Sequence, residues 1–196
     1  MAKQEKFIFD YEGYFDEKLE NTAILMWSTH HPAFTFAFYL NQLYNLNLER
    51  QDDITSEGGN NKLYSYQSDA DHHAFFLIEQ PTQGSSAIFD KILLVMGADA
   101  FETAQYIYDE TSKSVGQSHT TSPSERDTIL QSFIENGIFE SALFNFSDPD
   151  KPETTYFPNN TANAALQKKR ARFLKEQREK VSDLIMALDP LLPNFD

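Results

Sequence analysis

The chain has 196 residues, no cysteine, 40% hydrophobic residues and a formal net charge of −14 at pH 7. This length supports one sizeable core without a metal, and the lack of cysteine excludes disulfides, thiolate nucleophiles, zinc–thiolate sites and iron–sulfur clusters. The 17 Phe and 9 Tyr predict a globular protein. The negative charge of its globular part disfavours binding to nucleic acid or to anionic membranes.

Apolar periodicity and turn residues predict the secondary structure in chain order. Polar and apolar residues alternate weakly over 6–11, which indicates a short strand. Further strands are expected over 24–27, 46–50, 63–66, 74–78, 92–96 and 139–146. Helices are expected over 32–44, 99–110, 122–136 and 161–189. Segments 63–66 and 74–78 flank a polar tip and predict a hairpin. Segment 92–96 is the most apolar run of the chain, which predicts a central strand.

The helix over residues 32–44 is rich in aromatic side chains. Phe34 and Phe38 are among so many apolar residues that we expect the helix to be largely buried, because aromatic residues at helical spacing usually belong to the core. A ligand cavity lined by this helix is the less frequent alternative. Ser28 or Thr29 is expected to cap its start.

The clearest local signal opens the helix over residues 122–136. Ser122 is expected at the N-cap, Pro123 at the first helical position and Glu125 three residues after the cap, as in a capping box. Gly137 is expected to end this helix.

Charge divides the chain near residue 147. Residues 1–147 hold 8 of the 16 Lys and Arg and 22 of the 30 Asp and Glu, whereas residues 148–196 hold 8 of each. We therefore predict an acidic domain over residues 1–147, a linker over 148–160 and a basic amphipathic C-terminal helix over 161–189.

The predicted C-terminal helix carries the candidate binding residues of the chain. Its basic side chains can contact an acidic partner protein or nucleic acid phosphates, and Coulomb attraction can equally bring the helix onto its own acidic domain. The candidates are Lys168, Lys169, Arg170, Arg172, Lys175 and Arg178.

The segment from Phe34 to Leu48, a small-aromatic-x-Leu-Asn core followed by Leu-x-Leu, resembles the helix-to-strand segment of the IPExxxVDY family, small proteins of Bacteroidetes. The segment from Phe89 to Gly97 resembles that family's Val-Asp-Tyr-Phe-Leu-x-Ile-x-Gly strand. The match is partial and covers at most residues 20–147, and Gln83-Gly84-Ser85 stands where the family has its Ile-Pro-Glu. The resemblance implies a fold and a bacterial lineage, and it transfers no site residues.

One short segment offers metal-ligand chemistry. Asp69, Asp71, His72 and His73 supply oxygen and imidazole ligands within one turn. Because adjacent residues of a strand point to opposite faces, a polar hairpin tip is the competing interpretation. No Gly-x-Ser-x-Gly or P-loop pattern occurs, so we predict no catalytic, cofactor-binding or metal residues and no cofactor.

These observations predict an α+β fold, in which a mainly antiparallel sheet of five to six strands is covered by two to three helices, with an appended C-terminal helix. No run of 18 apolar residues and no signal-like N-terminus occurs, so we expect a cytoplasmic protein. The function expected is a non-enzymatic protein-interaction or regulatory module. An RNA- or nucleoprotein-associated factor using the basic helix is the alternative, and a metal-dependent hydrolase near His72 is the third.

Overall fold

The computed structural model describes residues 21–56, 59–68, 73–81, 89–112, 124–135, 137–145 and 183–192. Its strands are β1 (Thr22–Thr29), β2 (Glu49–Arg50), β3 (Ile54–Ser56), β4 (Gly59–Ser68), β5 (His73–Glu79), β6 (Lys91–Met96) and β7 (Ile138–Asn145). Its helices are α1 (Ala33–Tyr44), α2 (Ala100–Ser112) and α3 (Glu125–Glu135). Residues 183–192, which we call the C-terminal segment, are helical over 183–188 and continue into a 3₁₀ turn over Asp189–Leu191.

The strands form one antiparallel sheet in the order β2-β4-β5-β6-β1-β7, with β3 also paired to β4. β4 and β5 are the predicted hairpin, and β6 lies inside the sheet between β5 and β1, as its apolar run predicts. The predicted α+β class with a mainly antiparallel sheet is confirmed. None of the helices in the described part of the chain is long and apolar enough to cross a membrane.

Both faces of the sheet are buried. On β1, Ala23, Leu25 and Trp27 pack in a cluster with the three helices, whereas Ile24 and Met26 belong to the cluster on the opposite face. A strand that is buried on both sides has an unbroken apolar run instead of a polar–apolar alternation. This is why residues 23–27 are all apolar.

The C-terminal segment packs on the face of the sheet opposite α1, α2 and α3. Leu184, Ile185, Leu188 and Leu192 are buried in the same cluster as the side chains of that face. The Gln67 side chain of β4 donates a hydrogen bond to the Leu191 carbonyl oxygen at 3.0 Å. The remainder of the predicted C-terminal helix, the predicted linker and the weak strand over 6–11 lie outside the described residues.

The start of α3 differs from the prediction by two residues. The structure begins α3 at Glu125, and Ser124 acts as its cap: the Asp127 N–H donates to Ser124 Oγ at 3.1 Å and the Ser124 N–H donates to the Asp127 carboxylate at 3.0 Å. These hydrogen bonds hold the pKa of Asp127 below its usual range. Ser-x-x-Asp therefore forms the reciprocal capping box that was expected from Ser122 to Glu125.

Candidate functional site

The candidate residues named from the sequence lie mostly outside the described residues. This holds for all six basic side chains of the predicted C-terminal helix and for Asp69, Asp71 and His72. His73 is described, and its Nε2 atom lies 2.5 Å from the Asp99 carboxylate. Within the described ranges, no group of three or more His, Asp and Glu residues is placed to hold a metal ion.

Four charged side chains, which we call the ionic cluster, meet at one end of the sheet: Lys62, Glu79, Asp90 and Lys91. Lys91 is only 1% exposed, and its ammonium group contacts Asp90 and lies 3.0 Å from Glu79 Oε1. Lys62 Nζ lies 2.6 Å from Glu79 Oε2. A buried cation is tolerated only with such partners, so the cluster neutralises Lys91 and leaves it no role as an exposed nucleophile.

Strand register creates the ionic cluster. Lys62 of β4 lies opposite Glu79 of β5, and Glu79 lies opposite Lys91 of β6, so positive, negative and positive side chains follow one another across three strands. Side chains directly opposite in an antiparallel sheet share a face and lie within contact distance. Trp27 is the next residue in this row, and it belongs to the face that the helices cover.

The ionic cluster holds the start of α1. The N-cap residue is Pro32, which has no side-chain oxygen, and the Ala33 N–H donates instead to Glu79 Oε1 at 3.1 Å. The expectation that Ser28 or Thr29 caps this helix is therefore wrong, because both residues still belong to β1. A cap that comes from 46 residues along the chain has no local sequence signal.

The same contacts determine the charge state of Glu79. Burial alone would raise the pKa of this carboxyl, but hydrogen bonds from Lys62 and Lys91 outweigh burial and hold the pKa below its usual range. The carboxylate form, which neutralises both lysines and faces the partly positive start of α1, is therefore favoured near neutral pH.

His31 packs the start of α1 against α3. Its ring lies 5.9 Å from the Phe133 ring and 5.3 Å from the Tyr39 ring, measured between centroids. Its Nε2 atom lies 3.2 Å from the Phe133 carbonyl oxygen, which can only accept, so Nε2–H is the donor of this hydrogen bond. A Cβ atom on Gly137 would collide with the imidazole ring, which explains why glycine follows α3.

A second polar cluster fixes the other end of α1 to α2 and α3. Arg126 of α3 forms two hydrogen bonds with the Glu110 carboxylate of α2, at 3.0 and 2.5 Å, and its guanidinium lies 5.9 Å from the Tyr44 ring centroid. Burial of Glu110 opposes ionisation, but Arg126 outweighs it and lowers the pKa of this carboxyl. Burial first, and then the Glu110 charge, raise the pKa of Tyr44.

Two phenyl rings project from α1 into solvent. Phe34 and Phe38 are 66% and 58% exposed, whereas Phe36 between them is buried against the sheet. The expectation that this helix is largely buried is therefore wrong for these two residues, because α1 covers the sheet as a surface helix. We call Phe34, Phe38 and the exposed Gln42, which follow one another at intervals of four residues, the outer face of α1.

All cations in the described part of the chain have a carboxylate partner. The pairs are Arg50 with Asp53, Lys62 with Glu79, Lys91 with Glu79 and Asp90, and Arg126 with Glu110. The helix α3, which packs against α1 through Tyr39 and Phe133, exposes the carboxylates of Glu125, Asp127 and Glu135. The outer face is thus an apolar strip beside a negatively charged helix.

Comparison with protein-family models, with curated proteins and with solved structures finds no match. The resemblance to the IPExxxVDY family stays a prediction. Sequence reasoning missed the ionic cluster, although the apolar run 92–96 directly preceded by Asp90 and Lys91 offered a signal. Charged residues at the start of an otherwise apolar central strand must find partners once the strand is buried.

Proposed function

We propose that this protein is a non-enzymatic protein-interaction module that binds a partner protein through the outer face of α1. The observation that carries this proposal is the exposure of Phe34 and Phe38 on a helix whose two ends are both held in place. A single exposed apolar side chain is ordinary on protein surfaces. Two exposed phenyl rings about one turn apart lie on the same side of a helix, and aromatic side chains are enriched at the centre of protein interfaces.

Contacts at both ends of α1 support the proposal. Glu79 holds its first turn, and Tyr44 packs its last turn against α2 and α3 through the Arg126 cluster. Because the helix is already ordered, a partner that contacts Phe34 and Phe38 does not have to bear the entropic cost of ordering the backbone that presents them.

The experiment is affinity capture from a lysate of the native host, followed by direct titration. The full chain and a Phe34→Ser/Phe38→Ser variant are compared with a matched control, Met186→Ser/Leu191→Ser, which removes two exposed apolar side chains from the C-terminal segment. We expect a host protein that the wild type and the control retain and that the Phe variant loses.

Titration of that purified protein decides the proposal. We expect one-to-one binding and a loss of about tenfold or more in affinity for the Phe variant, since buried aromatic side chains at interfaces cost about 2 kcal/mol or more when truncated. Equal affinity of the Phe variant and the wild type for every captured protein would reject the outer face as the binding surface.

A further inference from the structure

The outer face of α1 belongs to a described part of the chain in which acidic residues far outnumber basic ones. The described residues contain 15 Asp and Glu but only four Lys and Arg, and each of those four cations already contacts a carboxylate of the same chain. The described part of the chain is therefore strongly acidic, in keeping with the formal net charge of −14 of the whole chain. A negative surface attracts cationic partners and repels anionic ones.

Three exposed acidic side chains lie on α3, the helix that packs against α1. α3 packs against α1 through the Tyr39 hydroxyl, 3.2 Å from Ser132 Oγ, and through Phe133. The same helix exposes Glu125 and Asp127 in its first turn and Glu135 at its end. A partner that extends from the outer face over α3 therefore meets these carboxylates.

Charge also argues against a second copy of this chain as the occupant. Two copies would bring together bodies that each have a formal net charge of −14. Such bodies repel at moderate ionic strength.

Spacing of the two rings indicates the shape of the partner. Residues four apart on a helix are separated by about 6 Å along its axis and lie on one side. Apolar side chains at the same helical spacing on a second helix match such a pair, as in helix-on-helix recognition.

From these observations we infer that the partner presents a cationic amphipathic helix, whose apolar stripe covers Phe34 and Phe38 and whose Lys or Arg side chains face the carboxylates of α3. The inference depends on the proposed function and specifies the chemistry of the partner. Apolar contact supplies the area and the cations supply specificity and a fast encounter.

Three synthetic peptides test the inference with the full-length protein. The first is an amphipathic helix of Leu and Lys about five turns long, the second replaces its Lys by Glu, and the third replaces its Leu by Ser. Fluorescence anisotropy measures binding at low ionic strength and in roughly 0.5 M salt, where screening shortens the range of charge interactions to a few ångströms.

We expect the Leu and Lys peptide to bind, the other two to bind at least about tenfold more weakly, and salt to weaken binding. Phe34→Ser/Phe38→Ser should lower affinity for the first peptide about tenfold or more, whereas Met186→Ser/Leu191→Ser should leave it unchanged. Equal binding by the Phe variant would show attraction by net charge alone and overturn the inference. Tight binding of the Glu peptide would overturn it as well.

Two measurements on the unbound protein test whether another part of the same chain or a second copy covers the outer face. The fluorescence of the indole introduced by Phe34→Trp should be quenched by acrylamide in the full chain. Protection of that indole from acrylamide would show that another part of the same chain covers the outer face. Sedimentation should give a monomer, and a dimer that Phe34→Ser/Phe38→Ser dissociates would assign the face to a second copy. Either result would overturn the inference.

Failure of this inference is distinguishable from failure of the proposed function. If a host protein requires Phe34 and Phe38 for capture but the Leu and Lys peptide does not bind, the interaction module stands and the chemistry assigned to its partner is wrong. If no host protein depends on the two rings, the proposed function itself is wrong, whatever the peptides do.

Discussion

Lys91 is a buried charged residue whose burial depends on the carboxylates around it. Its ammonium group lies among Asp90 and Glu79 at the start of a central strand, with almost no access to water. The attraction within such a group offsets the loss of hydration, so the intact cluster contributes little net stability. Removal of one partner is costly because the remaining charges stay buried.

We therefore expect Lys91→Met to lower the free energy of unfolding by about 3–5 kcal/mol, as measured by urea denaturation. Lys62→Met is the matched control, because its side chain is largely exposed although it also contacts Glu79, and an exposed ion pair contributes about 1 kcal/mol or less. Addition of Asp90→Asn to Lys91→Met should recover part of the loss. Equal losses for the two Lys variants would show that burial does not decide the cost.

At the scale of elements, α1 is held by contacts that come from distant parts of the chain. Its helical period and its largely apolar composition were both readable from the sequence. The cap from Glu79 and the exposure of Phe34 and Phe38 were not. Apolar composition reports that a residue can be buried, but the side of a helix that meets the sheet is decided by tertiary packing.

The charge state of Glu79 makes the stability of the folded protein depend on pH. Its pKa in the folded protein lies below the ordinary value of 4.5, so the folded state favours the carboxylate. The resulting stabilisation is present above that ordinary value and is lost as pH falls through the lower pKa of the folded state. Protonation removes the partner of Lys62 and weakens the acceptor of the Ala33 N–H.

Denaturation curves from about pH 5 to about pH 3 test this coupling. The wild type should lose stability more steeply than Glu79→Gln, whose side-chain oxygen still accepts the Ala33 N–H but does not titrate. Glu49→Gln, at an exposed position in β2, should follow the wild type. Parallel curves for wild type and Glu79→Gln would contradict the assignment.

At the scale of the whole molecule, the full strand order and the segment that covers the second face of the sheet could not be predicted from the sequence. The hairpin of β4 and β5 and the central place of β6 follow from local patterns, because turn residues and apolar runs report them directly. The adjacency of β1 and β7 joins segments more than a hundred residues apart, and no local pattern encodes it. The sequence showed an apolar stripe near the C-terminus, but not which surface it covers.

The C-terminal segment supplies the third layer of the described molecule, since Leu188 is 0% exposed against the second sheet face and Leu191, three residues on, is 46% exposed. Leu188→Ala should therefore lower the free energy of unfolding by about 2–5 kcal/mol, the usual cost of an emptied core position. Leu191→Ala, an identical substitution on the same segment, should change it by about 0.5 kcal/mol or less. Chemical denaturation of both variants measures the difference. If the two substitutions had the same small effect, the C-terminal segment would not be part of the core, and its apolar stripe would instead be available to a partner.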